Sequence, residues 1–175
     1  YGVGLRYDAT KDSRLSNVVT RKFLSDTKLG DIKQANAWAF TQQQFSSGKW
    51  LFDAGVRIDY FHFNYFDKWN VNQYPAQSKA IVSPKLNIQY TVNSKVQVYA
   101  KAGKGFHSND ARVVTANRGR QILPAAYGTD LGVILKPTEN LYFNIAAWYL
   151  FLDQEFVYVG DAGVVEPGGK TKRQG

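Results

Sequence analysis

One strand pattern occurs twice in the sequence, as Gly4-Leu5-Arg6-Tyr7-Asp8 and as Gly55-Val56-Arg57-Ile58-Asp59. In both copies apolar residues alternate with Gly, Arg and Asp, so an extended chain turns the two sets to opposite faces. A soluble β-sandwich buries such an apolar face in a core and exposes the charges to water. A transmembrane β-barrel turns the same apolar face to lipid and the charges to a wet lumen. The pattern therefore indicates a two-faced β-sheet of one of these two kinds.

Period-two alternation predicts about seven or eight antiparallel strands along the chain. They lie at about residues 1–9, 34–46, 50–65, 79–91, 95–106, 123–136 and 141–159. The face occupied by Trp38 and Phe40 is ambiguous, and Pro84 predicts a bulge or a strand start because proline lacks a ladder donor. The segment 145–152 is apolar enough for a buried helix, but its aromatic and β-branched residues and the turn before it favour a strand.

The connections between these strands alternate in length. Tight turns are predicted at residues 46–49, 91–94 and 136–140, and long polar loops at 10–33, 66–78, 107–122 and 160–169. This alternation is typical of a barrel whose short turns are periplasmic and whose long loops are outside. Several strands also exceed the ~9–11 residues that cross a bilayer, and aromatic residues cluster at strand ends, where a membrane girdle lies. We therefore predict an all-β fold, a segment of an antiparallel up-and-down transmembrane β-barrel.

The composition argues against several other classes of protein. Lys and Arg number 22 against 14 Asp and Glu, but the excess lies in predicted loops without a nucleic-acid-binding motif. The chain has no Cys, and its two His, His62 and His107, lack metal-ligand spacing. Ser108 and Asp110 follow His107 too closely in one loop for a catalytic triad, whose nucleophile and base face each other across a site. We predict no enzymatic activity, no metal, no cofactor and no nucleic-acid partner.

The charged residues of the polar strand face are the first candidate functional group. They are Arg6, Asp8, Asp53, Arg57 and Asp59. A charge on the lipid face costs ~2–4 kcal/mol near the membrane midplane, so we expect these side chains to face the lumen. Their expected role is to form hydrogen bonds and ion pairs between the wall and whatever fills the barrel, with ligand contact as the alternative.

The predicted outer loop 107–122 is the second candidate group, because it combines hydrogen-bond donors, acceptors and cations. The residues expected to contact a ligand are His107, Asn109, Asp110, Arg112 and Arg118. Arg112, Arg118 and Arg120 suit an anionic chelate and lipopolysaccharide phosphates equally well, because guanidinium groups pair with both.

Five short motifs follow one another along nearly the whole chain. They are Gly55-Val56-Arg57-Ile58-Asp59-Tyr60, Val82-Ser83-Pro84-Lys85-Leu86, Val98-Tyr99-Ala100-Lys101-Ala102-Gly103-Lys104-Gly105-Phe106-His107, Tyr127-Gly128-Thr129-Asp130-Leu131-Gly132-Val133 and Gly168-Gly169-Lys170-Thr171-Lys172-Arg173-Gln174-Gly175. This succession resembles the barrel of TonB-dependent outer-membrane receptors. The chain departs from the family pattern at Asp130, where the family usually has Glu, and at Gly175, where the family's terminal aromatic is missing.

The resemblance implies a place in energised uptake across the bacterial outer membrane. A family barrel has about 22 strands, so residues 1–175 are expected to be a partial barrel from the C-terminal half, without plug domain or signal peptide. The implied partners are outer-membrane lipid and lipopolysaccharide, with plug domain and TonB complex reached through other parts of the protein. The cargo stays open between ferric siderophores, haem, cobalamin, other metal chelates and oligosaccharides. The alternatives are a small complete outer-membrane barrel serving as anchor or adhesin, and a soluble β-sandwich binding module.

Overall fold

The computed structural model describes residues 1–69, 73–108, 111–116, 122–159 and 164–175. Within these ranges the elements are β1 (Gly2–Val19), β2 (Lys22–Ser47), β3 (Trp50–Asp67), β4 (Gln77–Asn93), β5 (Val96–Phe106), α1 (Ala111–Ala116), β6 (Ala125–Thr138), β7 (Leu141–Leu152), β8 (Phe156–Val159), β9 (Val164–Pro167) and β10 (Thr171–Gln174). No helix in this part of the chain is long and apolar enough to cross a membrane.

Eight of the strands form one open antiparallel sheet in the order β1-β2-β3-β4-β5-β6-β7-β10. Each strand from β1 to β6 pairs with the next along the chain, as in an up-and-down meander, and β7 pairs with β10. Strands β8 and β9 form a separate antiparallel pair. The predicted fold class, an antiparallel β-barrel segment, is confirmed, and segment 145–152 is a strand.

The register of the sheet separates a polar face from an apolar face. Gly4 pairs with Trp38, and Trp38 pairs with Asp59, so the three share one face because directly opposed residues point the same way. This polar face also carries Phe40, which settles the ambiguity at both aromatic residues. On the opposite, apolar face, Leu5 is 74% exposed and Leu131 65% exposed. Since a sandwich buries this face, the described residues do not form the alternative soluble β-sandwich.

The predicted loop 10–33 is wrong, because β1 and β2 continue through it as a long hairpin. The hairpin turns at Thr20 and Arg21, whose φ values of 48° and 64° match the positive values of a type I′ turn. Three register shifts, after Thr10, Leu15 and Asn17, interrupt the ladder. Each shift changes which residues share a face. The sequence of the hairpin therefore lacks the regular alternation of a strand and looks like that of a polar loop.

Three further features of the secondary structure differ from the sequence prediction. The strand predicted over 141–159 ends at Leu152, and β8 and β9 occupy parts of 156–167 instead. Pro84 is neither the predicted bulge nor a strand start, because β4 begins at Gln77 and the β3–β4 ladder runs through Pro84 without a shift. The predicted loop 107–122 contains α1 among its described residues.

A small hydrophobic core lies on the polar face at the end of β3 that is far from the tight turns. Its buried members are Phe61, Phe63, Ile81, Ala111, Val114, Ile122 and Leu123. The rings of Phe61 and Phe63 stack with centroids 5.6 Å apart, and Phe106 meets Phe61 edge-on at 5.7 Å. Helix α1 therefore covers this end of the polar face through Ala111 and Val114.

Candidate functional site

The repeated sequence pattern forms a repeated ion pair on the polar face. Arg6 Nε lies 2.7 Å from Asp8 Oδ2. Arg57 donates through Nε and Nη2 to the two oxygens of Asp59, each at 2.7 Å. Residues two apart on a strand point to the same face, so each Arg meets the Asp that follows it. The Asp59 side chain is fully buried, whereas the Arg6 and Asp8 side chains are 71% and 45% exposed.

Trp38 on β2 connects the two copies of the pattern. Its ring covers Gly4, where a Cβ atom would lie only 2.3 Å from the ring. The Arg57 guanidinium lies 5.0 Å from the centroid of the same ring, a cation–π geometry. Asn36 Nδ2 approaches Asp59 Oδ1 at 3.4 Å and the carbonyl oxygen of Tyr60 at 3.3 Å. Gly4 of the first copy thus provides space for the Trp38 ring, and Arg57 of the second copy lies over the same ring.

Asp53 is the centre of a second hydrogen-bonded group on the polar face. Gln42 Nε2 donates to it at 2.7 Å and Asn87 Nδ2 at 3.0 Å. Lys85 crosses over Gly55, where a Cβ would lie 2.9 Å from Lys85 Cε, and its Nζ reaches Gln42 Oε1 at 2.9 Å. A depression of about 340 Å³ lies beside these groups, lined in part by Arg57 and Lys85.

All five charged residues that the sequence predicts for one face lie together on the polar face. Register places Arg6 opposite Asn36, and Asp53 opposite Asn87 on β4. The sequence pattern did not reveal which of them are buried. It also did not reveal the neighbouring polar groups, because cross-strand partners depend on register.

The outer-loop group is only partly described by the structure. His107 is exposed, and its backbone N–H donates to the Pro124 carbonyl oxygen at 3.1 Å. Arg112 lies in α1, the helix that covers the polar face, and is half-buried. Asn109, Asp110 and Arg118 lie outside the described residues, as does Arg120.

An ion cluster that sequence reasoning missed lies where the β1–β2 hairpin leaves the sheet. Lys68 Nζ contacts Asp12 Oδ1 at 2.6 Å and Asp31 Oδ1 at 2.8 Å. The hydrogen bond from Lys68, reinforced by the backbone N–H of Asp12, holds the pKa of Asp31 below its usual 3.8. The two carboxylates raise the pKa of Lys68 above 10.5. Between this cluster and the tight turn after Ser47, β2 already has more than the ~9–11 residues that cross a bilayer, so the cluster lies outside that part of the strand. The three residues of the cluster are far apart in sequence.

His, Asp and Glu side chains do not gather into a possible metal site in the described parts of the chain.

A family model described as "TonB dependent receptor-like, beta-barrel" matches residues 1–175. Comparison with curated proteins gives no match. The match covers the whole chain and agrees with the up-and-down sheet, the exposed apolar face and the charged polar face. The chain therefore belongs to the TonB-dependent receptor β-barrel family, a family of outer-membrane receptors and transporters.

Proposed function

We propose that this chain is a wall segment of a TonB-dependent active transporter in the bacterial outer membrane. Its cargo is a scarce nutrient such as a ferric siderophore or another metal chelate. The observation that carries the proposal is the contrast between an exposed apolar face and a face with a connected network of charges. A wall between lipid and a wet lumen needs this contrast. The family membership supports the same conclusion.

In this function the two copies of the repeated pattern have different roles. Arg57 and Asp59 stabilise the wall, because Asp59 is buried and both of its oxygens accept from Arg57. Arg6 and Asp8, which are more exposed, meet a plug domain or a passing ligand in this proposal. The plug and the TonB complex act through other parts of the full receptor.

The segment 107–122 captures the ligand in this proposal. Its contact residues are His107, Asn109, Asp110, Arg112 and Arg118. Support comes from α1, which contains Arg112 and packs through Ala111 and Val114 over the end of the polar face. An arginine there favours an anionic chelate, because a guanidinium binds carboxylate and hydroxamate oxygens through paired N–H groups.

Uptake by the full-length receptor tests this function. The receptor is produced in a bacterial strain without its own chelate receptors, and accumulation of labelled iron from a panel of ferric chelates is measured. We expect uptake to require TonB and to fall in Arg112→Gln and Arg118→Gln. Arg14→Gln, on the β1–β2 hairpin, is the matched control. Uptake that persists without TonB, or a receptor that transports none of the chelates, would contradict the proposal.

A further inference from the structure

The sheet contains a fork between β4 and β5. These strands pair from Asn93 and Val96 as far as Lys85 and Gly103, and no further. Beyond this point β4 continues on β3 alone, and β5 continues on β6 alone as far as Phe106. Pro84 is the first residue of β4 past the last pair, and it has no N–H with which to extend the ladder toward β5. The sequence therefore ends the pairing at this position.

A cleft of about 670 Å³ lies at this fork, and its lining is basic. Lys79 comes from β4, Lys104 from β5 and Lys170 from the residues before β10. Asp153 is the one carboxylate in the lining, so the formal charge is three positive against one negative. Among the described residues, none of the three lysines forms an ion pair. The cleft thus carries a net positive charge, and its lysines are not paired with Asp153.

Gln154 gives a second and independent sign of a ligand. It lines the cleft and is only 5% exposed. Its Nε2 and Oε1 both lack a hydrogen-bond partner among the described residues. Buried amides are normally paired, so this side chain is suited to a ligand that accepts at one point and donates at another. An oxyanion accepts from Nε2, and a hydroxyl group donates to Oε1.

We propose that this fork cleft binds a phosphorylated sugar, with the lysine ammonium groups around the phosphate and Gln154 on the phosphate and a neighbouring hydroxyl. A phosphate carries up to two charges and three acceptor oxygens, which match the net charge and the number of ammonium groups. The cavity volume lies in the range of small-molecule sites. The site is distinct from the polar-face groups around Asp53 and Asp59, and does not depend on which cargo is transported.

A phosphorylated sugar can come from a lipid headgroup or from a soluble molecule. The cleft is open to both sources, because residues of both faces of the sheet line it. The lining includes Ala80 and Val82, which alternate onto the apolar face, and Lys79 and Ile81, which alternate onto the polar face. A lipid with a phosphorylated sugar headgroup reaches the cleft from the apolar side. A soluble sugar phosphate reaches it from the polar side.

Calorimetric titration of the full-length receptor in phosphate-free detergent tests the proposal. The probes are glucose 6-phosphate, glucose and inorganic phosphate, and a parallel arm measures binding to lipid vesicles with and without lipid A. We expect glucose 6-phosphate or lipid A to bind, and glucose not to bind. Binding to the soluble probe assigns the soluble source, and binding to lipid A vesicles alone assigns the lipid headgroup.

The variants Lys79→Gln and Gln154→Leu assign the binding to the cleft. Each removes a hydrogen bond to a charged group, which corresponds to about tenfold weaker binding or more. Lys101→Gln, on the same sheet but outside the cleft, is expected to bind as the parent protein does. Retained heat-modifiable mobility on gels identifies folded receptor. Two results would overturn the proposal: unchanged affinity in both cleft variants, or no binding of either phosphorylated probe to folded receptor.

Discussion

Replacement of Arg57 by methionine is expected to destabilise the barrel more than the same replacement of Arg6, the corresponding arginine in the first copy of the pattern. Arg57 supplies two donors to Asp59, whose side chain is fully buried. Breaking a buried ion pair from one side costs ~3–5 kcal/mol, because a desolvated charge is left without its partner. Arg57 itself is 41% exposed, and the Asn36 amide still approaches Asp59, so we expect a loss of about 3 kcal/mol.

Arg6→Met is the matched control, because the same sequence pattern there forms an exposed pair. The Arg6 and Asp8 side chains are 71% and 45% exposed. An exposed pair contributes ~0–1 kcal/mol, since water and salt screen it and long side chains must be ordered to form it. The two variants therefore differ by about 2 kcal/mol or more if burial decides the contribution.

The measurement is urea-induced unfolding of the full-length receptor in lipid vesicles, followed by tryptophan fluorescence. Trp38 lies directly under the Arg57 guanidinium and reports on this region. A double-mutant cycle with Asp59→Asn separates the pair from its surroundings, and we expect a coupling free energy of about 1–3 kcal/mol. Equal losses in Arg57→Met and Arg6→Met, or a coupling near zero, would refute the argument from burial.

Three more changes test other parts of the structure. Leu131→Arg on the apolar face is expected to cost about 2–4 kcal/mol in the same unfolding assay, because it places a charge in lipid, and a cost near zero would contradict the orientation of the sheet. Gly132→Val is expected to cost about 1–3 kcal/mol, because its Cβ would lie 2.3 Å from the Tyr99 ring; unfolding at the parent urea midpoint would contradict it. The lowered pKa of Asp31 means that its contact with Lys68 stabilises the hairpin fully above pH 3.8 and is lost as the pH falls through the lowered value. Spin labels on the hairpin tip and beside position 68 should therefore separate only in that acid range, and separation at neutral pH would contradict the role of the contact.

Alternation alone was enough to predict the two faces of the sheet and the charged residues that share one of them. The Arg57–Asp59 pair follows from the same rule, because residues two apart on a strand are neighbours. Burial of Asp59 does not follow, since it depends on Asn36 and Trp38 from another strand. The face of Trp38 depends on its pairing with Gly4, which a single strand pattern does not contain.

The hairpin and the α1 segment were beyond sequence reasoning for a different physical reason. Each register shift within β1 and β2 reverses the alternation, so a continuous strand looks like an irregular polar stretch. The packing of α1 on Phe61 and Phe63 brings together residues about fifty positions apart in the chain. The Lys68 cluster likewise joins a loop residue to a hairpin residue 56 positions away. Only the three-dimensional arrangement gives such contacts.

The two copies of the Gly-x-Arg-x-Asp pattern show why a motif by itself does not assign a role. Both copies form the same ion pair, and in both a side chain from the next strand lies over the glycine. The neighbours then decide the outcome. The copy on β3 pairs with β2 and β4 and its Asp59 side chain is fully buried, whereas the Arg6 and Asp8 side chains of the copy on β1 are 71% and 45% exposed. A change at Asp59 should therefore appear first as lost stability, and a change at Asp8 as altered contact with whatever meets the polar face.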